Sequence, residues 1–246
     1  MNTETLDKMK KLRLHGMHRT YQTLTETNRA ESLTNDELTD QLVQSEWDDR
    51  LHRAIARSTQ RARFRYQSGI EQIECNEKRG IDKNQLHRLA EGTFIRKHEN
   101  LFITGPTGTG KSFIASALGH QACQIGFKVL YSNTNKLLAQ LKLAKADGSA
   151  LKELSKIERM DLLILDDFGL QPFDAQSRIL LMEIFEDRHG KRSTILTSQL
   201  PVKMWHEIIG EQTVADAILD RIVHDAHRIE LKGESLRKQK RIETEN

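Results

Sequence analysis

The stretch that decides the fold is Leu101-Phe-Ile-Thr-Gly-Pro-Thr-Gly-Thr-Gly-Lys-Ser112. Its apolar opening suits a strand buried on both faces of a parallel sheet. The next eight residues match G-x-x-x-x-G-K-[ST], and a helical pattern begins at Lys111. Gly105, Gly108 and Gly110 permit backbone torsions closed to other residues, so main-chain N–H groups can point inward. The positive end of the helix faces the same spot, which therefore suits a phosphate group.

Outward from this loop the pattern alternates. Downstream, the sequence predicts a helix from Lys111 to Ile125 and a strand over Phe127–Tyr131. Helical stretches cover Asn135–Lys145 and Leu151–Glu158, with Asp147-Gly148 breaking them. A strand at Leu162–Leu165 and a helix over Ala175–His189 come next, then a strand at Ser193–Thr197. Helices near Lys203–Ile208 and Val214–His224 precede a last strand at Ala226–Leu231. Alternation of this kind predicts an α/β fold, a parallel five-stranded sheet sandwiched by helices.

The loop residues Gly105, Pro106, Thr107, Gly108, Thr109, Gly110, Lys111, Ser112 and Phe113 are the candidate nucleotide-binding set, with ATP and magnesium as the expected ligands. Lys111 is placed to reach the β- and γ-phosphates, and the Ser112 hydroxyl to ligate magnesium. A second half should be an acid at the end of a neighbouring strand. Leu162-Leu-Ile-Leu-Asp166-Asp167 supplies two. Asp166 is the expected magnesium-side acid, and Asp167 the group that orients or deprotonates the attacking water. Thr197-Ser198-Gln199 ends the fourth strand; Gln199 or Ser198 is placed to position that water, or is an ordinary polar strand end.

Upstream, residues 1–68 carry no proline and read as a helical domain, with a connector over 69–97 and the nucleotide-binding domain over 98–246. Thr34 or Asn35 caps a helix that runs on through Trp47, Leu51, Ala54, Ile55 and Ala62. Acids crowd residues 36–49, whereas Arg50, Arg53, Arg57, Arg61, Arg63 and Arg65 follow with no acid among them. Arg50, Arg53, Arg57, Arg61 and Arg65 recur at helical spacing and form a candidate stripe for duplex DNA, or a solvated face paired with the acids. Lys142 and Lys145, with Lys136, Lys152 and Lys156, form a second candidate, and the basic tail from Arg237 to Arg241 a third.

Composition bounds these readings. The chain has 246 residues and a net charge of only +3, so charge placement matters more than its sum. No apolar run reaches the roughly 18 residues of a membrane span, and the polar start is unlike a secretory signal. Cys75 and Cys123, far apart, read as buried thiols of a reducing, cytoplasmic compartment. His15/His18 and His224/His227 lack the further ligands of a zinc site.

The loop, the Asp-Asp and Thr-Ser-Gln strand ends and the tail Asp220 to Arg237 resemble the IstB transposition helper ATPases, relatives of the DnaC helicase loaders and DnaA within the AAA-plus superfamily. Leu12–Met17, and Glu46–Arg50 followed by Arg61–Phe64, are also similar to the IstB amino-terminal region. The resemblance implies a homo-oligomer with ATP sites between subunits, which reshapes duplex DNA and recruits or stimulates a partner transposase. It makes Arg221 the candidate arginine finger, with Arg228 as fallback, where spacing alone reads as a helix-surface arginine. The superfamily's second acid is usually glutamate; the shorter Asp167 implies slow hydrolysis and ATP acting mainly as an assembly switch. Two alternatives stand beside it: a DnaC-like helicase loader, and an ATP-gated DNA clamp with negligible hydrolysis.

Overall fold

The computed structural model describes residues 3 to 236. The basic tail from Arg237 to Arg241 lies outside the described residues. Contacts divide the chain into two compact units, one running to Arg57 and the other from Ser58 onward.

The first unit holds α1 (Thr3–Lys11), α2 (His15–Glu26) and α3 (Asn35–Ala62) as far as Arg57. Thr34 starts α3 with a capping box: its hydroxyl takes the Glu37 N–H while the Glu37 carboxylate takes the Thr34 N–H and O–H. Capping of α2 comes from another helix. Its N-terminus has no side-chain cap of its own, and Glu46 on α3 accepts from the N–H groups of Gly16 at 2.8 Å and Met17 at 3.3 Å. Glu46 and Asp49 are buried, the one held by Arg50 and the other by Arg19 and Arg53. Two of the acids read as surface charge therefore tie helices together.

The second unit holds a five-stranded parallel sheet in the order β2-β3-β4-β1-β5. Its strands are β1 (Asn100–Thr104), β2 (Val129–Asn133), β3 (Leu162–Asp166), β4 (Ser193–Ser198) and β5 (Ala226–Glu230). Strand residues alternate between two cores. Leu101, Ile103, Leu162, Ile164 and Ile195 face one, which includes α4 (Lys83–Ala90), α5 (Thr93–Arg96) and α6 (Lys111–Gln124). Phe102, Leu163, Leu165 and Leu196 face the other, with α7 (Thr134–Ala146), α8 (Ala150–Glu158), α9 (Ala175–Arg188), α10 (Trp205–Ile209) and α11 (Gln212–Val223). Helices on both faces bury the central strands from end to end, so those strands read as continuous apolar runs.

Two expectations differ from the structure. The second strand lies two residues later, because the Phe127 N–H still bonds back to the Ala122 carbonyl and the Lys128 N–H is taken by the Asp161 carboxylate. Cys123 is buried as expected, but Cys75 is exposed. Residues 69–97, expected as a connector, contribute Ile73, Ile81, Leu86, Leu89, Phe94 and Ile95 to the first core.

Candidate nucleotide site

β1 delivers the chain into the loop at the carboxyl edge of the sheet, and α6 leaves it with Gly110 as N-cap. Gly105, Gly108 and Gly110 all have positive φ, at 143°, 83° and 98°. At Gly108 a Cβ would also meet the Ser235 hydroxyl at 2.1 Å. The loop therefore needs glycine both for torsion and for room.

Lys111 is almost wholly buried and donates to the Gly105 and Pro106 carbonyls at 2.7 and 2.8 Å. Thr109 closes the turn by donating to the Pro106 carbonyl. Thr107 reaches sideways and donates to Gln199 Oε1 at 2.7 Å, so the end of β4 touches the loop. Ser198 points elsewhere: it is fully buried, donating to the Phe168 carbonyl and accepting from the Leu200 N–H. Of the two strand-end candidates, only Gln199 touches the loop by its side chain. Phe113 packs against the first core, and its ring lies 6.0 Å from that of Tyr66.

The two halves meet at one contact. Ser112 Oγ donates to Asp166 Oδ1 at 2.7 Å. Asp166 is 1% exposed, and such a carboxylate needs partners on both oxygens. Thr197 also donates to Oδ1; Tyr131 at 2.5 Å and Arg65 at 3.2 Å donate to Oδ2. Burial, and then the adjacent Asp166 carboxylate, push the Tyr131 phenol well above its ordinary value, so it donates as a neutral hydroxyl. Burial alone would lower the Arg65 guanidinium, but Tyr66 and Asp166 outweigh it and raise it. Asp167 turns out of the strand at φ 58° and accepts from Asn133 at 3.1 Å and Arg65 at 3.4 Å.

Arg65, Tyr131, Asn133 and Thr197 were not among the residues expected at this acid pair. Arg65 corrects the stripe: α3 ends at Ala62, and Arg63 at φ 58° carries the chain off the helix. The period of four continues in sequence but not in space. Arg79 is a further addition, donating to the Thr109 carbonyl at 3.0 Å. The segment after β5 also runs along the loop, with Leu231 N–H on the Thr104 carbonyl and Leu236 N–H on that of Gly108.

Arg221 is far from this edge. It lies in the last turn of α11, where the Ile222 carbonyl meets Asn100 at the start of β1, and so at the opposite edge of the sheet. There it pairs with Glu186 and donates to the Ala217 carbonyl. Arg228 lies mid-strand in β5, opposite Phe102 of β1. Neither reaches the chain's own loop. Lys142 pairs with Asp174, Lys145 with Glu183, Arg50 with Glu46 and Arg53 with Asp49. Among the described residues Arg57 and Arg61 have no acid partner.

A strand, a glycine loop closing on a helix N-terminus, and an acid pair on the strand beyond β4 define a P-loop ATP-binding protein with the AAA-plus fold. The solved structures of DnaI (22% identity, TM-score 0.57, 68% of this chain and 92% of that one) and of AMPPCP-bound DnaA from Aquifex aeolicus (20% identity, TM-score 0.57, 72% and 55%) share that fold. The model of the IstB-like ATP binding protein family matches residues 7–244, and the chain belongs to that family. It is 46% identical over 237 residues to the insertion-sequence ATP-binding protein y4pL of Sinorhizobium fredii, covering 96% of this chain and 97% of the other. To the IS21 ATP-binding protein of Pseudomonas aeruginosa it is 34% identical, over 81% of this chain and 76% of that one.

Proposed function

We propose that this chain is an ATPase that regulates transposition: it binds ATP with magnesium, assembles with copies of itself on duplex DNA, and recruits or stimulates a partner transposase in the cytoplasm. The observation that carries this reading is the 2.7 Å contact between Ser112 and Asp166. It joins the phosphate loop to the acid pair, which a merely structural glycine turn has no reason to do.

The donor set is all oxygen, a serine hydroxyl and two carboxylates, and fits magnesium. Ser112 and Asp166 would hold that ion, which would supply neutralisation of the charge developing on the transferred phosphoryl group. Asp166 is held by four donors and serves as a fixed anchor for that ion. Asp167 has the freer carboxylate and orients the attacking water, with Gln199 beside the loop as its second guide. Lys111 exchanges the Gly105 and Pro106 carbonyls for phosphate oxygens. Its present bonds keep a buried ammonium satisfied until then.

Arg221 suits a finger that acts on the site of the next subunit, since its own loop lies at the other edge of the sheet. Arg57 and Arg61, exposed and without acid partners among the described residues, are the cations best placed to meet DNA phosphate. The shorter arm of Asp167 supports slow turnover, so that bound ATP acts as an assembly signal.

Titration with a fluorescent ATP analogue tests the core of the proposal. Lys111→Ala should weaken binding by at least about tenfold, while Asp167→Asn should bind normally and turn over at a small fraction of the wild-type rate. ATP binding that survives Lys111→Ala unchanged would reject the site.

A further inference from the structure

At the amino edge of the sheet, away from the phosphate loop, lies a cavity of about 150 Å³ where β1 and β4 begin. Asn100 and Thr194 from those strands line it, and most of the remaining wall is basic. Lys97, Arg188, Arg192 and Arg221 contribute to it together with three histidines, and Asp225 is the single acid in the lining.

The charges in that wall are unevenly matched. Arg192 pairs with Asp161 at 3.0 Å, and Arg221 with Glu186. Lys97 is exposed and has no acid partner among the described residues. Arg188 is 2% exposed and has none either. It donates to the Thr194 hydroxyl and to the carbonyls of Ile157, Met160 and Ser193. A guanidinium carries five N–H groups, so these four acceptors leave one over. Burial, and then Arg192, push the group down to about 9 against an ordinary 12.5. A buried cation met only by neutral oxygens is costly to keep, and the cavity beside it is where a counter-charge can enter.

Size narrows what that counter-charge is. Pockets for drug-sized ligands begin at roughly 300 Å³, so this one is too small for a nucleoside. An oxyanion fits better than a halide, because its oxygens match the planar fork of a guanidinium.

We propose that this cavity binds a phosphoryl oxyanion, with Arg188 as its buried counter-charge, Arg192 and Arg221 as partly exposed donors and Lys97 at the rim. Glu186, at the surface, holds Arg221 until the anion arrives. Two sources supply this chemistry: free phosphate, and the terminal phosphate of a nucleotide held by a second copy. The second source rests on the functional reading, in which Arg221 acts on the site of the next subunit.

The full chain carrying Lys111→Ala, with its phosphate loop silenced, isolates the cavity. Its melting temperature should rise more with sodium phosphate than with sodium chloride at equal ionic strength. Lys97→Gln and Arg192→Gln should each raise the phosphate concentration for half the effect by about tenfold, as loss of one charge-assisted bond does. Arg192→Lys keeps the charge but not the fork and should fall between. Melting in chloride alone shows whether each variant folds like its parent. Phosphate that stabilises no better than chloride, or equally well after these substitutions, overturns the proposal.

Mixing then separates the sources. Chains with both Lys97→Gln and Arg192→Gln keep the phosphate loop but lose cavity cations, and Lys111→Ala chains have the reverse defect. If a second copy's nucleotide supplies the phosphate, each alone hydrolyses ATP poorly and a mixture turns over faster than either. If free phosphate does, the double variant hydrolyses ATP like the wild type and mixing adds nothing. Binding of the fluorescent ATP analogue to chains with Lys111 intact reports on the functional reading by itself, so the two readings fail independently.

Discussion

Arg65 Nη1 stands 3.2 Å from Asp166 Oδ2 and 3.4 Å from Asp167 Oδ2, so one guanidinium spans both carboxylates of the acid pair. Two adjacent acids, one buried to 1%, repel each other unless a cation sits between them. Arg65 is that cation, delivered by the turn that follows α3.

The relationship has a measurable consequence. Arg65→Gln should cost about 1–2 kcal/mol of stability without nucleotide, less than a fully buried pair because Arg65 is 43% exposed. It should also lower the free magnesium needed for half-maximal nucleotide binding, since the ion would no longer compete with a resident charge. Arg65→Lys should restore most of both. An unchanged magnesium midpoint with an intact fold would count against this role.

In the first unit, Gly16 sits where α2 meets α3. A Cβ there would lie 2.2 Å from the Ser45 carbonyl oxygen and 2.6 Å from Glu46 Cα, both backbone atoms that cannot swing aside. Gly16→Ala should therefore destabilise by about 1–3 kcal/mol, as overpacking does. Urea denaturation followed at Trp47 reads the change; a silent substitution would show that α2 slides without cost.

Asp174 caps α9 through the Ser177 N–H at 2.8 Å and pairs with Lys142 at 2.7 Å. Lys142 first, and then the Ser177 bonds, hold its carboxyl at about 2 against an ordinary 3.8. A carboxyl lowered in the folded state stabilises above the unfolded value. Its contribution should thus be present at neutral pH and fade as pH falls from 3.8 towards 2. Asp174→Ala should cost about 1 kcal/mol at pH 7, and Asp174→Asn, which keeps a capping oxygen, less. Melting curves at pH 7 and near pH 2.5 should show the alanine penalty shrinking.

Arg61 offers the cleanest test of DNA contact, being exposed and, among the described residues, without an acid partner. Arg61→Glu should weaken duplex binding and flatten the dependence of log K on log salt by about one contact. Binding that keeps its slope would move the DNA surface elsewhere, with Lys136 and Lys152 the next cations to reverse.

Much of this is legible in the sequence. The helix–strand order, the five strands and the loop from Gly105 to Ser112 follow from local rules: buried parallel strands are apolar runs, and only glycine tolerates the loop's torsions. Asp166 and Asp167 fall at the end of β3 as the sequence predicts, because apolar residues and then two acids mark a strand's carboxyl end. What local pattern determines is which residues form each element and where ligands collect along it.

Which elements become neighbours depended on the fold. The insertion of β4 between β1 and β3 brings Thr197 to Asp166 and Gln199 to Thr107, contacts that join residues 31 and 92 positions apart. Arg65 continued a four-residue period that its sequence had no means of ending; a left-handed Arg63 ended it. Glu46 read as surface charge, yet it caps a helix 30 residues away. A side chain's partner across the fold is set by packing of apolar faces far from it in sequence, and polar residues take whatever donors that packing leaves within reach.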